Sequence, residues 1–141
     1  MRRIASLALL ALGLAAVPAS SASLRVAPVG FELTGGTATS TLQIRNEDQR
    51  PVTVQVRVFR WNERGGPQAL EPTRDVVASP PLATLAPGTE NLVRIVRLKE
   101  GPAGPRETYR LIVDEVPDRR PLASGQVQVV VRHSIPVVFS D

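Results

Sequence analysis

The segment VTVQVRVFRW, from Val52 to Trp61, decides the fold class of this chain. Its side chains alternate, so that one face carries only valine and the other face is mixed: Val52, Val54, Val56 and Val58 against Thr53, Gln55, Arg57 and Phe59. Alternation of this kind with β-branched residues predicts a strand that is buried on one face.

Further β-prone segments lie on both sides of this strand, and turn residues separate them. The other predicted strands are residues 23–33, weakly alternating and broken by Pro28 and Gly30, and residues 39–45, 76–77, 91–98, 107–116 and 125–139. Ser79-Pro80-Pro81 can end a strand, and Leu85-Ala86-Pro87-Gly88 is a turn. No window shows sustained helical periodicity. About seven strands at intervals of roughly 8–12 residues predict an all-β sandwich.

The first residues are typical of a secretory signal peptide. A basic start, Met1-Arg2-Arg3, precedes the apolar run Ile4 to Val17, and small residues follow it. We expect cleavage after Ala22, with Ala19 as the second choice. A membrane anchor is the alternative, but the run is shorter than the roughly 20 residues that a spanning helix needs. The sequence therefore predicts residues 1–22 as the signal peptide, residues 23–141 as one domain, and no stable membrane insertion.

Composition argues against most kinds of chemistry. The chain has no cysteine and a single histidine, His133, so we expect no catalytic residue, no metal site and no cofactor. Without Arg2 and Arg3, 15 basic residues face 13 acidic ones, which gives no strong reason to expect nucleic acid as a partner. Few aromatic residues are available to stack on sugars. An enzyme or a carbohydrate-binding protein is therefore the weakest reading.

The end of the chain, GQVQVVVRHSIPVVF from Gly125 to Phe139, is apolar and rich in valine. Such a segment promotes aggregation if it lies at the exposed edge of a sheet. Two explanations remain open from the residues themselves. Either the segment is an internal strand of this domain, or it pairs with another protein.

Six features follow one another along the chain: Asn46 before a polar turn, Phe59-Arg60-Trp61, Ser79-Pro80-Pro81, Leu85-Ala86-Pro87-Gly88 with Val93-Arg94-Ile95, Glu107-Thr108-Tyr109-Arg110-Leu111, and the alternating terminal strand. In this order they resemble the N-terminal immunoglobulin-like domain of the PapD-like periplasmic chaperones of the chaperone–usher pilus pathway. The motifs Thr108-Tyr109-Arg110 and Arg132-His133-Ser134-Ile135-Pro136 are most similar to those of the archaic, Csu-like branch. The resemblance implies a seven-stranded immunoglobulin-like β-sandwich.

The resemblance also implies a function. Such a chaperone binds pilus or fimbrial subunits in the periplasm, completes their fold by donating its terminal G strand, and delivers them to an outer-membrane usher for fimbrial biogenesis and cell wall organisation. Val127, Val129 and Val131 would fill the pockets of the subunit, and no proline interrupts residues 127–134. An exposed donor strand also implies a risk of self-association.

The family anchors the terminal carboxylate of the subunit with a pair of basic residues, and this sequence departs from that pattern. Pro28 and Pro136 fall where the basic residues are expected. The candidate anchors nearby are Arg94, our first choice, Arg25 and Arg132. Glu107 matches a family glutamate whose charged partners we expect at or beyond Asp141.

The second domain of the family is expected to be absent from this chain. Its absence would indicate a fragment, a truncated gene or a stand-alone variant. The alternatives to an active chaperone are therefore an inactive truncated fragment and an exported immunoglobulin-like structural or adhesive module. In that module the last strand would be internal.

Overall fold

The computed structural model describes residues 24–117, 119, 121, 124–125, 127 and 129–141. The predicted signal peptide lies outside the described residues, and so does Gln128 in the terminal segment. The described residues form one 3-10 turn, Glu63–Gly65, and ten strands: β1 Leu24–Ala27, β2 Phe31–Leu33, β3 Thr39–Asn46, β4 Val52–Trp61, β5 Leu70–Pro72, β6 Val76–Ser79, β7 Leu82–Leu85, β8 Glu90–Arg97, β9 Glu107–Val116 and β10 Arg132–Phe139.

The strands form two sheets that pack face to face. The first sheet has the order β1-β3-β8-β6, and the second has the order β2-β10-β9-β4-β5, with β7 also paired to β4. Neighbouring strands are antiparallel, except that β10 and β2 are parallel. The prediction of an all-β, immunoglobulin-like sandwich is confirmed.

The structure has three strands more than the seven that we predicted, and two of the three arise at breaks that contain proline. The first segment is interrupted at residues 28–30, which contain Pro28 and Gly30, so β1 pairs in the first sheet and β2 in the second. Pro80 and Pro81 separate β6 from β7 in the same way. The third addition is the short strand β5, in a segment for which we predicted no strand.

Alternating side chains from both sheets build one core. Leu42, Ile44, Val93 and Ile95 of the first sheet lie in the same buried cluster as Leu111, Val113 and Val137 of the second. On β4 the valine face is buried, as its alternation predicts. The predicted turn at residues 85–88 is also present, and Gly88 adopts the left-handed conformation there, with φ of 69°. No described helix has the length and apolar character needed to cross a membrane.

The last strand begins later than we predicted. The sequence indicates a strand from Gly125, whereas the paired strand β10 begins at Arg132 and ends at Phe139. Among the described residues, little is available to pair with the earlier part of the predicted strand. β9 ends at Val116, and Asp114, near that end, already lies opposite Arg132. The fold therefore separates residues 132–139, which belong to the sheet, from the valine-rich residues that precede them.

Candidate functional site

The chain leaves its own sheet at the start of β10. The ladder between β9 and β10 runs from the pair Glu107 and Phe139 to the pair Asp114 and Arg132. One further bond follows, from the Glu115 N–H to the Val131 carbonyl at 3.0 Å. No backbone hydrogen bond joins residue 127, 129 or 130 to another described residue. We call residues 127–131 the valine segment. Among the described residues, its backbone has no partner beyond the bond at Val131.

The valine segment presents large apolar side chains to solvent. Val127 is 85% exposed and Val129 is 78% exposed, whereas Val131 is half-buried. In β10 the side chains that enter the core are Ile135, Val137 and Phe139. Because side chains of an extended strand alternate with a period of two, continuing the strand places all three predicted donor valines on this same face. One face of a single strand would thus be buried in this domain at one end and uncovered at the other.

A groove of about 380 Å³ opens where the valine segment joins β10. It lies between the end of β9 and the end of the valine segment, and both apolar and charged residues line it: Gln55, Asp114, Glu115, Val116, Pro117, Val130, Val131 and Arg132. A partner strand that pairs with the valine segment would therefore contact this groove at the point where the segment joins β10.

The structure does not bring together the three arginines that we predicted as anchors. Arg25 and Arg94 lie on the outer face of the first sheet, away from β10. The Arg25 guanidinium is 3.9 Å from the Glu47 carboxylate, and its side chain is 76% exposed. Arg132 lies on the second sheet and donates two hydrogen bonds to the Asp114 carboxylate, at 2.5 and 3.2 Å. Its charge is therefore already paired.

Another arginine, Arg110, lies beside Pro136, one of the two prolines at the expected basic positions. Arg110 is on β9, the central strand of the second sheet, between Phe59 on β4 and Pro136 on β10. Tyr109 and Leu111 enter the core, so the Arg110 side chain is on the outer face. Its guanidinium carbon is 3.9 Å from the centre of the Trp61 ring.

Arg110 has no hydrogen bond or ion pair with any described residue, and its Nε atom is buried. A guanidinium on an aromatic face keeps its charge while losing water, so it interacts strongly with an anion that reaches its outer nitrogens. The Thr108-Tyr109-Arg110 motif is part of the family resemblance, but from the sequence we assigned no role to Arg110. Alternation in β9 places it outside the core, but only the pairing of β4, β9 and β10 reveals its apolar neighbours.

Glu107 is paired within this domain. Its carboxylate accepts hydrogen bonds from Arg97 at 2.9 and 3.0 Å and from Lys99 at 2.9 Å, whereas we expected partners at or beyond Asp141. The hydrogen bonds from Arg97, with help from Lys99, lower the pKa of Glu107 to about 2. Burial and the charge of Glu107 raise the pKa of Tyr109 to about 12. This cluster orders the loop after β8, because Arg97 also donates to the carbonyls of Lys99 and Gly101.

The described residues offer little for catalysis. In the part of the chain that the structure describes, no three His, Asp or Glu side chains lie close enough together to hold a metal ion. His133 is on β10, opposite Val113, and its buried Nε2 atom has no hydrogen-bond partner among the described residues. Among the described residues, the arrangement presents an apolar segment whose backbone has no partner beyond the bond at Val131 and a cation that has no ionic partner, and this suits binding of another polypeptide.

Comparison with protein families places this geometry in a known class. The family described as "Pili and flagellar-assembly chaperone, PapD N-terminal domain" matches residues 23–140. The chain belongs to this family, as its sequence resemblance predicted. Comparison with curated proteins gave no match.

Solved structures agree with this assignment. A chain of the CsuC–CsuE chaperone–tip adhesion subunit complex, from the archaic Csu pili of Acinetobacter baumannii, is 27% identical with a TM-score of 0.71, over 84% of this chain and 52% of that one. A chain of the SafA pilin–SafB chaperone complex of Salmonella enterica is 19% identical, with a TM-score of 0.69, over 86% and 56%. The E. coli chaperone DraB is 23% identical, with a TM-score of 0.65, over 83% and 54%. The chain thus spans about half the length of these proteins.

Proposed function

We propose that this chain is a chaperone for pilus subunits and that it acts by donating the valine segment to an incomplete subunit. The observation that carries the proposal is the exposure of Val127 and Val129, at 85% and 78%, on the continuation of a strand whose other half is buried. Exposed valines in a row are costly for a secreted domain because they promote aggregation. Their retention is understandable if a partner covers them.

Donation satisfies both the backbone and the side chains of the segment. A subunit that lacks its last strand has an open groove with free backbone groups, and an added strand completes its hydrogen-bonded ladder. Burying each valine contributes about 1.5–3 kcal/mol. Branched side chains have few rotamers, so they lose little entropy on ordering. Val127, Val129 and Val131 are therefore suited to fill successive pockets on one face of the groove.

We assign the anchoring of the terminal carboxylate of the subunit to Arg110, in place of Arg94, Arg25 and Arg132. Arg110 lies on the same sheet as β10, whereas Arg25 and Arg94 lie on the other sheet. Arg132 is paired with Asp114, whereas Arg110 has no ion pair with a described residue. Its neighbours Trp61, Phe59 and Pro136 would exclude water around the ion pair and strengthen it.

The cellular setting follows from the same proposal. Residues 1–22 direct export, the domain acts in the periplasm, and the loaded chaperone delivers its subunit to an outer-membrane usher. The support is the signal-peptide pattern of the sequence, the family match, and the solved relatives that are chaperones in complex with pilus subunits. No cofactor is needed, because binding and release use strand exchange.

Co-expression in the periplasm tests strand donation. The probe is a pilus subunit from the same gene cluster, produced without its own donor segment. Wild type is expected to co-purify with this subunit, and Val129→Asp to retain at least about tenfold less, because a buried unpaired carboxylate is costly. Leu92→Asp is the matched control, since Leu92 is 61% exposed on the outer face of the other sheet. Equal recovery with Val129→Asp and wild type would contradict the proposal.

A second pair of variants tests the anchor. Arg110→Gln is expected to weaken subunit binding by about tenfold or more, the effect of losing one charge-assisted hydrogen bond. Arg94→Gln removes the same charge from the other sheet and should leave the affinity unchanged. Isothermal titration with the purified subunit measures both. If Arg94→Gln loses more affinity for the subunit than Arg110→Gln does, the anchor is Arg94 on the first sheet and not Arg110.

Each alternative gives a result that differs from the one expected for strand donation. A structural or adhesive module would not co-purify with the subunit in any variant. An inactive fragment would fold but would not bind. Self-association through the valine segment would appear as a dimer of the free chain that Val129→Asp, but not Leu92→Asp, dissociates.

A further inference from the structure

Asp114 lies at the point where the chain leaves its own sheet, and two arginines converge on it. Arg132 on β10 donates to both carboxylate oxygens, and Arg57 on β4 donates to Oδ2 at 2.7 Å. The three residues thus link β4, β9 and β10 across the outer face of the second sheet. We call this set the Asp114 clamp. The pair of Asp114 and Arg132 is also the last pair of the β9–β10 ladder.

The clamp is stronger than an ordinary surface ion pair. The Asp114 side chain is 15% exposed, and it receives three hydrogen bonds from guanidinium groups. Burial by itself would raise the pKa of Asp114, but the hydrogen bonds from Arg132 and Arg57 outweigh it, so the pKa lies below its usual range. The carboxylate is therefore ionised at neutral pH. Bidentate arginine pairs of this kind fix geometry as well as adding energy.

The end of a two-stranded ladder frays unless something holds it. Beyond Arg132, one backbone hydrogen bond, from Glu115 to Val131, joins the described valine segment to the sheet. Register matters here because a slip of one residue turns every side chain of a strand to its other face. The buried side chains of Ile135, Val137 and Phe139 fix the register of β10 itself. A slip confined to the chain before Arg132 would present Val130 in place of Val129 and Val131.

We propose that Asp114 is a positioning residue that holds Arg132 in place and so fixes the register in which Val127, Val129 and Val131 are offered to a subunit. This inference rests on the proposed function, since register has a use only if the segment is donated. It also gives Arg132 a role that differs from the carboxylate anchor predicted from the sequence. Arg57 supports the clamp from the neighbouring strand.

Hydrogen exchange on the free chain tests the clamp without any subunit. The reporter is the Glu115 amide, which bonds to Val131. Asp114→Asn and Arg132→Gln are expected to speed its exchange by about tenfold, as expected when a charge-assisted hydrogen bond is lost. Arg132→Lys, which keeps the charge but loses the bidentate geometry, should give an intermediate rate. Arg106→Gln is the matched control, because Arg106 makes a comparable pair with Glu63, at 3.0 and 3.4 Å.

Disulfide trapping then measures which residues of the valine segment face the groove of the subunit. The chain has no cysteine, so Val129→Cys or Val130→Cys introduces a unique thiol for a single cysteine placed in the groove of the same gene-cluster subunit. With the clamp intact, Val129→Cys is expected to cross-link at least about tenfold more than Val130→Cys. Adding Asp114→Asn should bring this ratio towards one, and adding Arg106→Gln should not. A purely structural clamp would lower stability without changing the ratio.

The outcomes separate the two proposals. An unchanged Glu115 exchange rate in Asp114→Asn, or an unchanged cross-linking ratio, would overturn the clamp. If no cysteine variant cross-links even with the clamp intact, the proposed function fails, and the exchange of Glu115 still decides whether the clamp holds the end of the strand.

Discussion

Asn46 shows how one buried polar side chain can hold a turn of this domain together. It is fully buried at the end of β3. Its side-chain N–H groups donate to the carbonyls of Arg50 and Leu85, at 2.8 and 3.0 Å, and its Oδ1 accepts from the Asp48 N–H at 2.8 Å. These bonds tie the turn after β3 to the end of β7. The asparagine is therefore needed because its side chain both donates and accepts hydrogen bonds, which no apolar side chain can do.

Asn46→Ala should lower the free energy of unfolding by about 3 kcal/mol, because it leaves buried backbone groups without partners. Urea unfolding followed by Trp61 fluorescence measures the change. The control is Gln43→Ala on the exposed face of the same strand, for which we expect less than about 1 kcal/mol. A similar loss in both variants would show that the bonds of Asn46 add nothing special.

Glu107 gives the domain a predictable dependence on pH. Its pKa of about 2 in the folded protein is below the ordinary value of 4.5, because Arg97 and Lys99 bind the charged form. Its contribution to stability is therefore complete above about pH 4.5 and is lost as the pH falls towards 2. We expect Glu107→Gln to be less stable than wild type by about 1–2 kcal/mol at pH 7, after allowing for solvent screening.

Urea unfolding at several pH values checks this expectation. The difference between wild type and Glu107→Gln should shrink between pH 4.5 and 2. Glu71→Gln, at an exposed position on β5, should stay within about 0.5 kcal/mol of wild type throughout. A constant difference across this range would mean that the charge of Glu107 is not the source of its effect.

At the scale of the element, β10 and the valine segment are similar in composition but different in environment. Val137 is fully buried in β10, whereas Val129 is 78% exposed, eight residues earlier. Val137→Asp should lower the free energy of unfolding by about 4 kcal/mol or more, because it buries an unpaired charge. Val129→Asp should change it by less than about 0.5 kcal/mol. Thermal unfolding of the free chain compares them, and equal destabilisation would place both valines in one core.

The strands were predictable because their local patterns are strong. The alternation in residues 52–61 and the β-branched residues in 107–116 specify strands whatever surrounds them. The sheet to which each strand belongs was not predictable in two places. Pro28 with Gly30, and Pro80 with Pro81, indicate a break, but a break does not tell whether the next strand returns to the same sheet. That choice depends on the packing of the whole sandwich.

The candidate site was predictable in part, for a similar reason. A valine-rich terminal segment without proline can be read from the sequence, and its exposure is consistent with the proposed use. The charges were harder to assign, because their roles depend on cross-strand neighbours. Arg132 faces Asp114 and Arg110 faces Pro136 only through the register of β9 and β10. That register links residues about 20 positions apart and has no local signal.

At the scale of the whole molecule, the domain is complete along most of its length and open at one end. Both sheets contribute to a single core, which has the architecture of an immunoglobulin-like sandwich. Residues 135, 137 and 139 of the last strand pack into that core. On the same face, the earlier residues 127 and 129 are exposed to solvent. Under the proposed function, this strand would be long enough to take part in two sandwiches at once.

The most direct test of this account is hydrogen exchange at residues 127 and 129–131, first in the free chain and then with a pilus subunit that lacks its last strand. We predict exchange in the free chain within about tenfold of an unstructured peptide, and at least about hundredfold slower exchange in the complex. Slow exchange in the free chain, or no slowing with the subunit, would contradict the claim that the valine segment is a strand kept open for a partner.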